Sequence, residues 1–264
     1  MIEWIVYCLT ISALLGIAAL AAERALGHYR RPVRWAWAGA IGGSALLPLA
    51  AWLVPQLVRG VSETLPMRTV SLDALAALGA GSGAGDAGPL SWLPSADALL
   101  AGVWIASVLG FGAYVAVAYG RLRREMRTWI AGDVLGSVVL LSPDRGPAVV
   151  GVARGVIVFP RWITELADEL LRLVFLHERE HREAGDHRLF AGALIAVLAM
   201  PWNPVLWWQL RRLRLAIEYD CDRRVIARGV APRAYGDALL AVGSRIGRLP
   251  LAAGFAEHRP AVER

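Results

Sequence analysis

The pentad His177-Glu178-Arg179-Glu180-His181 holds the residues best suited to chemistry in this sequence. It is an instance of H-E-x-x-H. On a helix, residues four apart lie on one face, so both imidazoles can aim at one point. Glu178 follows the first histidine and can reach a water bound at that point. A zinc ion held in this way lowers the pKa of its water toward ~7, and a carboxylate beside it can take the proton. Two metal ligands and a general base therefore come from a turn and a half of helix. The chain has only five histidines, and chance alone would place an H-E-x-x-H in roughly one such chain in a hundred or fewer.

Two histidines leave a zinc site short of a third protein ligand. Glu218 and Asp222 lie downstream, four apart and facing one way on a helical register. Glu218 can bind the metal, and Asp222 can accept the proton of a ligand histidine's far nitrogen. Asp220 points about 200° away from Glu218 and is the weaker candidate. Asp186 suits either an N-cap or a supporting contact behind the ligands. His187 reads as an interfacial or loop histidine and Cys221 as packing. Tyr219 and Tyr235 are candidates for stabilising an oxyanion, with nothing to choose between them.

These residues must be positioned by a chain that is 264 residues long and 56% hydrophobic, with a mean hydropathy of +0.47. Soluble domains average about 45–50% apolar, so long apolar runs here point to a bilayer. The net charge of +6 is carried by arginines that cluster beside those runs. Membrane orientation explains that pattern better than a nucleic-acid surface, and no direct nucleic-acid binding is expected. Cys8 and Cys221 are too far apart in context to imply a disulfide framework.

Residues 4–22 are uncharged and long enough to cross a membrane. A cleaved signal peptide would want a basic start, yet Glu3 is the only charge before the run. Arg24, Arg30, Arg31 and Arg34 follow, which places this loop in the cytoplasm and the N-terminus outside. Residues 35–58 predict a second span, with Trp35, Trp37 and Trp52 as interfacial anchors. Together these form a first unit, 1–58. Residues 59–97, rich in Gly and Ala, predict an extracytoplasmic loop. Residues 98–120 predict a third span, closed on the cytoplasmic side by Arg121, Arg123, Arg124 and Arg127.

The remainder, 121–264, predicts a cytoplasmic domain. Short β-like runs at 134–141, 148–152 and 156–159 suggest a hairpin or three-stranded sheet. An exposed edge strand there can hold an extended peptide, or the sheet is plain scaffold. After Pro160 a helix is expected from about Thr164. Leu166, Leu170, Leu173, His177 and His181 share one face of it, so the leucines should be buried below the histidines. Gly185 stops that helix. The apolar stretch 188–200 is thirteen residues long, a helical rise of ~20 Å, short of a ~30 Å hydrocarbon core. Pro201 and Pro204 break it, and 205–210 leads into Arg211. Either 188–210 is one broken span or it is a re-entrant or membrane-apposed hairpin. Convergence of Glu218 on the histidines, together with the arginines at 211–214, favours the hairpin.

The blocks VFLHEREHREAGD (174–186), WNPVLWW (202–208) and EYDCD (218–222) occur in that order. In this the sequence resembles the BlaR/MecR-type integral-membrane zinc peptidases, the membrane part of β-lactam sensor-transducers. GVIVFP (155–160) and AGFAE (253–257) also fit. The resemblance implies a mainly α membrane protein of the inner (plasma) membrane. It would have three transmembrane helices, a cytoplasmic gluzincin-like zinc peptidase domain and a small sheet. It further implies His177, His181 and Glu218 on zinc, Glu178 as base, and Asp222 in support. Proteolysis would relay an external signal by cleaving the protein itself or a cytoplasmic repressor, and oligomers are compatible with this. Family receptors continue into another span and an external penicillin-binding sensor, which this sequence does not reach by Arg264. Asp220 stands where the family usually has a small residue.

Three functions compete at this level. The first is a membrane zinc endopeptidase. The second is a signalling module whose metal is structural or regulatory, against which the base Glu178 argues. The third is a transporter or assembly factor, against which the absence of ionisable residues in the predicted spans argues.

Overall fold

The uncharged run at 4–22 winds into a helix that extends beyond it at both ends, α1 (Ile2–His28). It belongs to a computed structural model that describes residues 2–62 and 95–246, with side chains described from Ile2 to Ala51 and from Ser95 to Arg245. A short turn leads to α2 (Arg34–Ser62), in the range expected for the second span. Of the external loop expected at 59–97, residues 59–62 and 96–97 are helical, continuing α2 and opening the next helix, while residues 63–94 and the AGFAE block lie outside the described residues. Then comes α3 (Ala96–Met126), whose first turn is capped by Ser95 accepting from Ala98 N at 3.2 Å. Among the described residues, α1 and α3 are long and apolar enough to cross a membrane by length and composition. No residue of α3 is buried. Leu99, Val103, Ile105, Leu109 and Val117 project outward, as on a surface facing hydrocarbon.

A four-stranded sheet follows: β1 (Ile130–Val134), β2 (Ser137–Ser142), β3 (Ala148–Val150) and β4 (Val156–Pro160), in the order β1-β2-β4-β3. β2 and β4 are parallel, with Leu140 opposite Val158; the outer pairs are antiparallel. The sheet has one strand more than the sequence suggests, because the expected strand at 134–141 is interrupted. Leu135 and Gly136 both adopt positive φ, 52° and 74°, and reverse the chain. A left-handed leucine gives no signal in sequence, whereas an Asn or Gly pair would have. Asp133 Oδ1 closes the turn by accepting from Gly136 N at 2.9 Å.

The helix expected from Thr164 begins later. Arg161–Glu165 form a 3₁₀ turn, Leu166 and Ala167 are extended, and α4 runs Asp168–Ala184. Starting there puts Asp168 and Glu169 in the first turn, where their charge complements the helix dipole. Gly185 ends it at φ 68°, as expected. The leucine stripe is displaced. Leu166, Leu170 and Leu173 are only half-buried, and Val174 and Phe175 go inside with His177 and Glu178. Phe175 meets Phe159 under the sheet, so the sheet rather than the stripe decides which face is covered.

α5 (Asp186–Ala199) and α6 (Pro204–Ala227) form a hairpin. Asn203 caps α6 through Oδ1, accepting from Val205 N at 3.0 Å, with Pro204 at the first helical position. The apolar stretch thus folds back. α5 and α6 pack with α1 and α2 around Cys8, Trp37, Ile41, Val197, Leu206 and Leu213. Polar bonds mark how far the hairpin travels along α1. Arg212 holds Glu23 at 2.6 and 2.7 Å, and Asn203 Nδ2 donates to Ser12 Oγ at 3.0 Å. From Glu23 to Ser12 is about 16 Å of helical rise, half of a ~30 Å hydrocarbon core. Gly16 lets Trp208 lie against α1, since a Cβ there would sit 2.5 Å from its ring. The last described helix is α7 (Pro232–Ile246), which packs on α4 and α6 through Tyr235, Cys221 and Val225.

Candidate metal centre

α4 brings its two histidines together at the point where α6 passes. His177 Nε2 and His181 Nε2 are 3.1 Å apart. Glu218 Oε2 lies 3.6 Å from the first and 3.5 Å from the second. Ligand atoms at corners of a zinc tetrahedron, with bonds of about 2.0–2.2 Å, are about 3.3–3.6 Å apart. The three atoms therefore form a triangle of the size that one zinc ion requires. Each ring's other nitrogen is taken. His181 Nδ1 bonds Asp186 Oδ2 at 2.8 Å, and His177 Nδ1 bonds the Tyr235 hydroxyl at 2.6 Å. Those bonds put the proton on Nδ1 and leave Nε2 lone pairs pointing into the triangle.

Asp222 reaches His177 through an intermediary. Its Oδ1 is 3.6 Å from His177 Nδ1 but accepts from Tyr235 Oη at 2.7 Å. Tyr235 thus relays the support expected of Asp222. Burial, with the charge of Asp222, raises the Tyr235 pKa far above its usual value, so the hydroxyl keeps its proton and donates it to the carboxylate. The bonded hydroxyl is not free for an oxyanion. Tyr219 is exposed and lies beneath Arg223, so neither tyrosine is held for that role.

Asp186 is not an N-cap. Gly185 precedes α5 and no side-chain cap bond is made. The buried carboxylate instead holds His181 and Arg224 through Oδ2, at 2.8 and 3.0 Å, and Arg34 through Oδ1 at 2.5 Å. Asp220 faces away from the triangle, as helical geometry requires. Its two oxygens accept from the backbone N–H groups of Val33 and Arg34, both at 3.0 Å, and so cap α2 from a distant helix. His187 lies in the first turn of α5, packed where Gly155 leaves room for its ring, rather than in a loop.

Cys221 is fully buried and, with His177 and His181, forms a second group able to converge on an ion. Its sulfur lies 3.6 Å from His177 Nδ1 and also contacts the His177 carbonyl. That is the ring edge occupied by Tyr235. The two Nε2 atoms are the ones that face Glu218 Oε2, at 3.6 and 3.5 Å.

The electrostatics suit a cation. Burial opposes charge on His177, yet Cys221 and Glu218 hold its pKa up to about 10. Burial likewise opposes charge on His181, and Asp186, Cys221 and Glu218 raise it. Burial raises Glu218, but the two histidines hold it well below the usual carboxylate range. Burial pushes Glu178 up, against the pull of both histidines. A carboxyl raised in this way is suited to accepting and returning a proton. The missed residues are Tyr235 as a relay and Arg34, Arg224 and Asp220 as supports. Tyr235 was visible only as a tyrosine, and the others only as charges.

No curated protein matches the sequence closely enough to count as a relative. Residues 84–260, well over half of the chain, match the family described as BlaR1 peptidase M56. A metallopeptidase family is what the two imidazoles, the buried glutamate and the apolar helices beside them call for, and the chain belongs to the BlaR1 peptidase M56 family.

Proposed function

We propose that this protein is a multi-pass membrane zinc endopeptidase with its metal centre on the cytoplasmic side. The observation that carries the reading is the triangle of His177 Nε2, His181 Nε2 and Glu218 Oε2, at 3.1–3.6 Å, with both Nδ1 atoms already bonded. These three residues would hold the ion. Zinc bound there would lower the pKa of a water and polarise a peptide carbonyl.

The chain's own groups do the rest. Glu178 takes the proton of the attacking water on its carboxylate and passes it to the nitrogen of the leaving amine. Asp186 and the Tyr235–Asp222 pair hold a proton on Nδ1 of each imidazole, with Nε2 turned toward the ion. β3 is an edge strand lying beside α4, and an extended peptide can add to such an edge by main-chain hydrogen bonds. Substrates consistent with the family resemblance are the protein itself and a cytoplasmic repressor. The hairpin would be re-entrant, its tip near mid-depth beside Ser12 and its arms returning to the cytoplasmic arginines.

The test is zinc quantification on purified wild type, His177→Ala and Glu178→Gln, with self-cleavage followed alongside. The wild type should hold one zinc per chain and be cleaved. His177→Ala should lose both, and Glu178→Gln should keep the metal and lose cleavage. A wild type without bound metal would reject the reading.

A further inference from the structure

The turn between α1 and α2 is stapled to the back of the metal centre by three side chains. Arg223 donates to the carbonyls of Arg30 and Arg31. Asp220 accepts from the N–H groups of Val33 and Arg34. Arg34, the first residue of α2, reaches Asp186 Oδ1 at 2.5 Å. Asp220 and Arg223 are on α6, within two turns of Glu218. One side of α6 supplies the triangle while another grips the turn.

The Asp186 carboxylate is where the two meet. Its Oδ2 serves His181 Nδ1 and Arg224, and its Oδ1 serves Arg34. With both oxygens engaged, the plane of the carboxylate is fixed, and so is the direction of the acceptor that orients the His181 ring. Arg224 alone, on the same oxygen as His181, would leave the carboxylate free to turn about that oxygen. Arg34 and Asp186 are both largely shielded from water, with side chains 11% and 4% exposed, so water cannot readily substitute for the lost partner.

Resting on the metal-site reading above, we infer that Arg34 is a positioning residue for the metal ligand His181, acting through Asp186, so that the start of the second helix is part of the metal centre. A ligand geometry set from outside the peptidase helices is a place where displacement of α2 would be felt as a change in metal affinity.

The experiment uses the full chain in detergent or nanodiscs, with Arg34→Met, Arg34→Lys and Arg145→Met. Arg145 follows β2 and pairs with Glu125 at 2.9 Å, outside the network around Asp186, and serves as the control. Zinc affinity is read by chelator competition, and ligand geometry by the visible spectrum of the cobalt-substituted protein. Arg34→Met should weaken zinc binding about 10–100-fold and alter the cobalt spectrum. Arg34→Lys, which keeps a cation at Oδ1, should recover most of the affinity, and Arg145→Met should match wild type. If wild type binds zinc while Arg34→Met binds it equally well with an unchanged spectrum, the inference fails and the peptidase reading stands. If Arg34→Met does not fold, Arg34→Gln, which removes the cation from Oδ1 but stays polar, decides: weaker zinc binding with a perturbed cobalt spectrum in a folded protein supports the inference, and a wild-type spectrum and affinity overturn it. A wild type that binds no zinc overturns both.

Discussion

The Tyr235 hydroxyl stands between His177 and Asp222, 2.6 Å from the imidazole Nδ1 and 2.7 Å from the carboxylate Oδ1. It accepts from the ring and donates to the acid. Helix α7 thereby contributes to a metal ligand on α4 through an acid on α6. Removing the hydroxyl leaves a buried N–H without its acceptor, which costs about 1–3 kcal/mol. Tyr235→Phe should therefore lower the thermal midpoint and weaken zinc binding by about 10-fold or more. Chelator competition and a melting curve check both.

Glu178→Gln keeps the shape of the side chain and removes its ability to accept a proton. Loss of a general base typically costs about 10²–10⁴-fold in rate. Cleavage should fall by that much with zinc content unchanged. A variant that cuts at the wild-type rate would move the base elsewhere.

Metal and proton compete for His177. In the metal-free protein its pKa is held up to about 10, above the usual 6.5. A raised folded-state pKa means that the charged ring stabilises the apoprotein fully below about pH 6.5 and ceases to do so as pH rises through about 10. Zinc must displace this proton at neutral pH, so binding should release protons and weaken as pH falls. Calorimetry in two buffers of different ionisation heat reads the release; identical heats would contradict it.

Asp220→Ala removes the cap from the start of α2, leaving two N–H groups without their acceptor. A lost cap costs about 0.5–2 kcal/mol. The expected result is a lower melting temperature and faster proteolysis of the turn at residues 29–34. Unchanged proteolysis would mean that the turn is held by Arg223 alone.

A hairpin that enters and leaves on one side puts residues near 175 and near 215 in the same compartment. Single cysteines at these positions, in a background free of Cys8 and Cys221, should react alike with an impermeant thiol reagent in inverted vesicles, and neither in right-side-out ones. Opposite labelling would show a crossing segment.

The pentad at 177–181 declared its chemistry in sequence because both its ligands and its base lie within one helix, where spacing fixes direction. The break at Pro201 and Pro204 was legible for a similar reason. Those prolines alone left a hairpin and a broken span equally open, and only the distant Glu218 and the arginines at 211–214 favoured the hairpin. The apolar lengths of α1 and α3 were legible because a bilayer imposes a length. Fold details that hinge on one backbone angle were hidden, as at Leu135, whose left-handed conformation splits an apparent strand. The start of α4 was hidden too, since two extended residues separate it from the 3₁₀ turn before it. Above all, the supports of the metal centre were decided by tertiary structure. Tyr235 is 58 residues from His177, and Arg34 is 152 from Asp186. No periodicity or spacing rule links residues so far apart. They meet only because the α5–α6 hairpin packs against α1 and α2, and because α7 closes over α4 and α6.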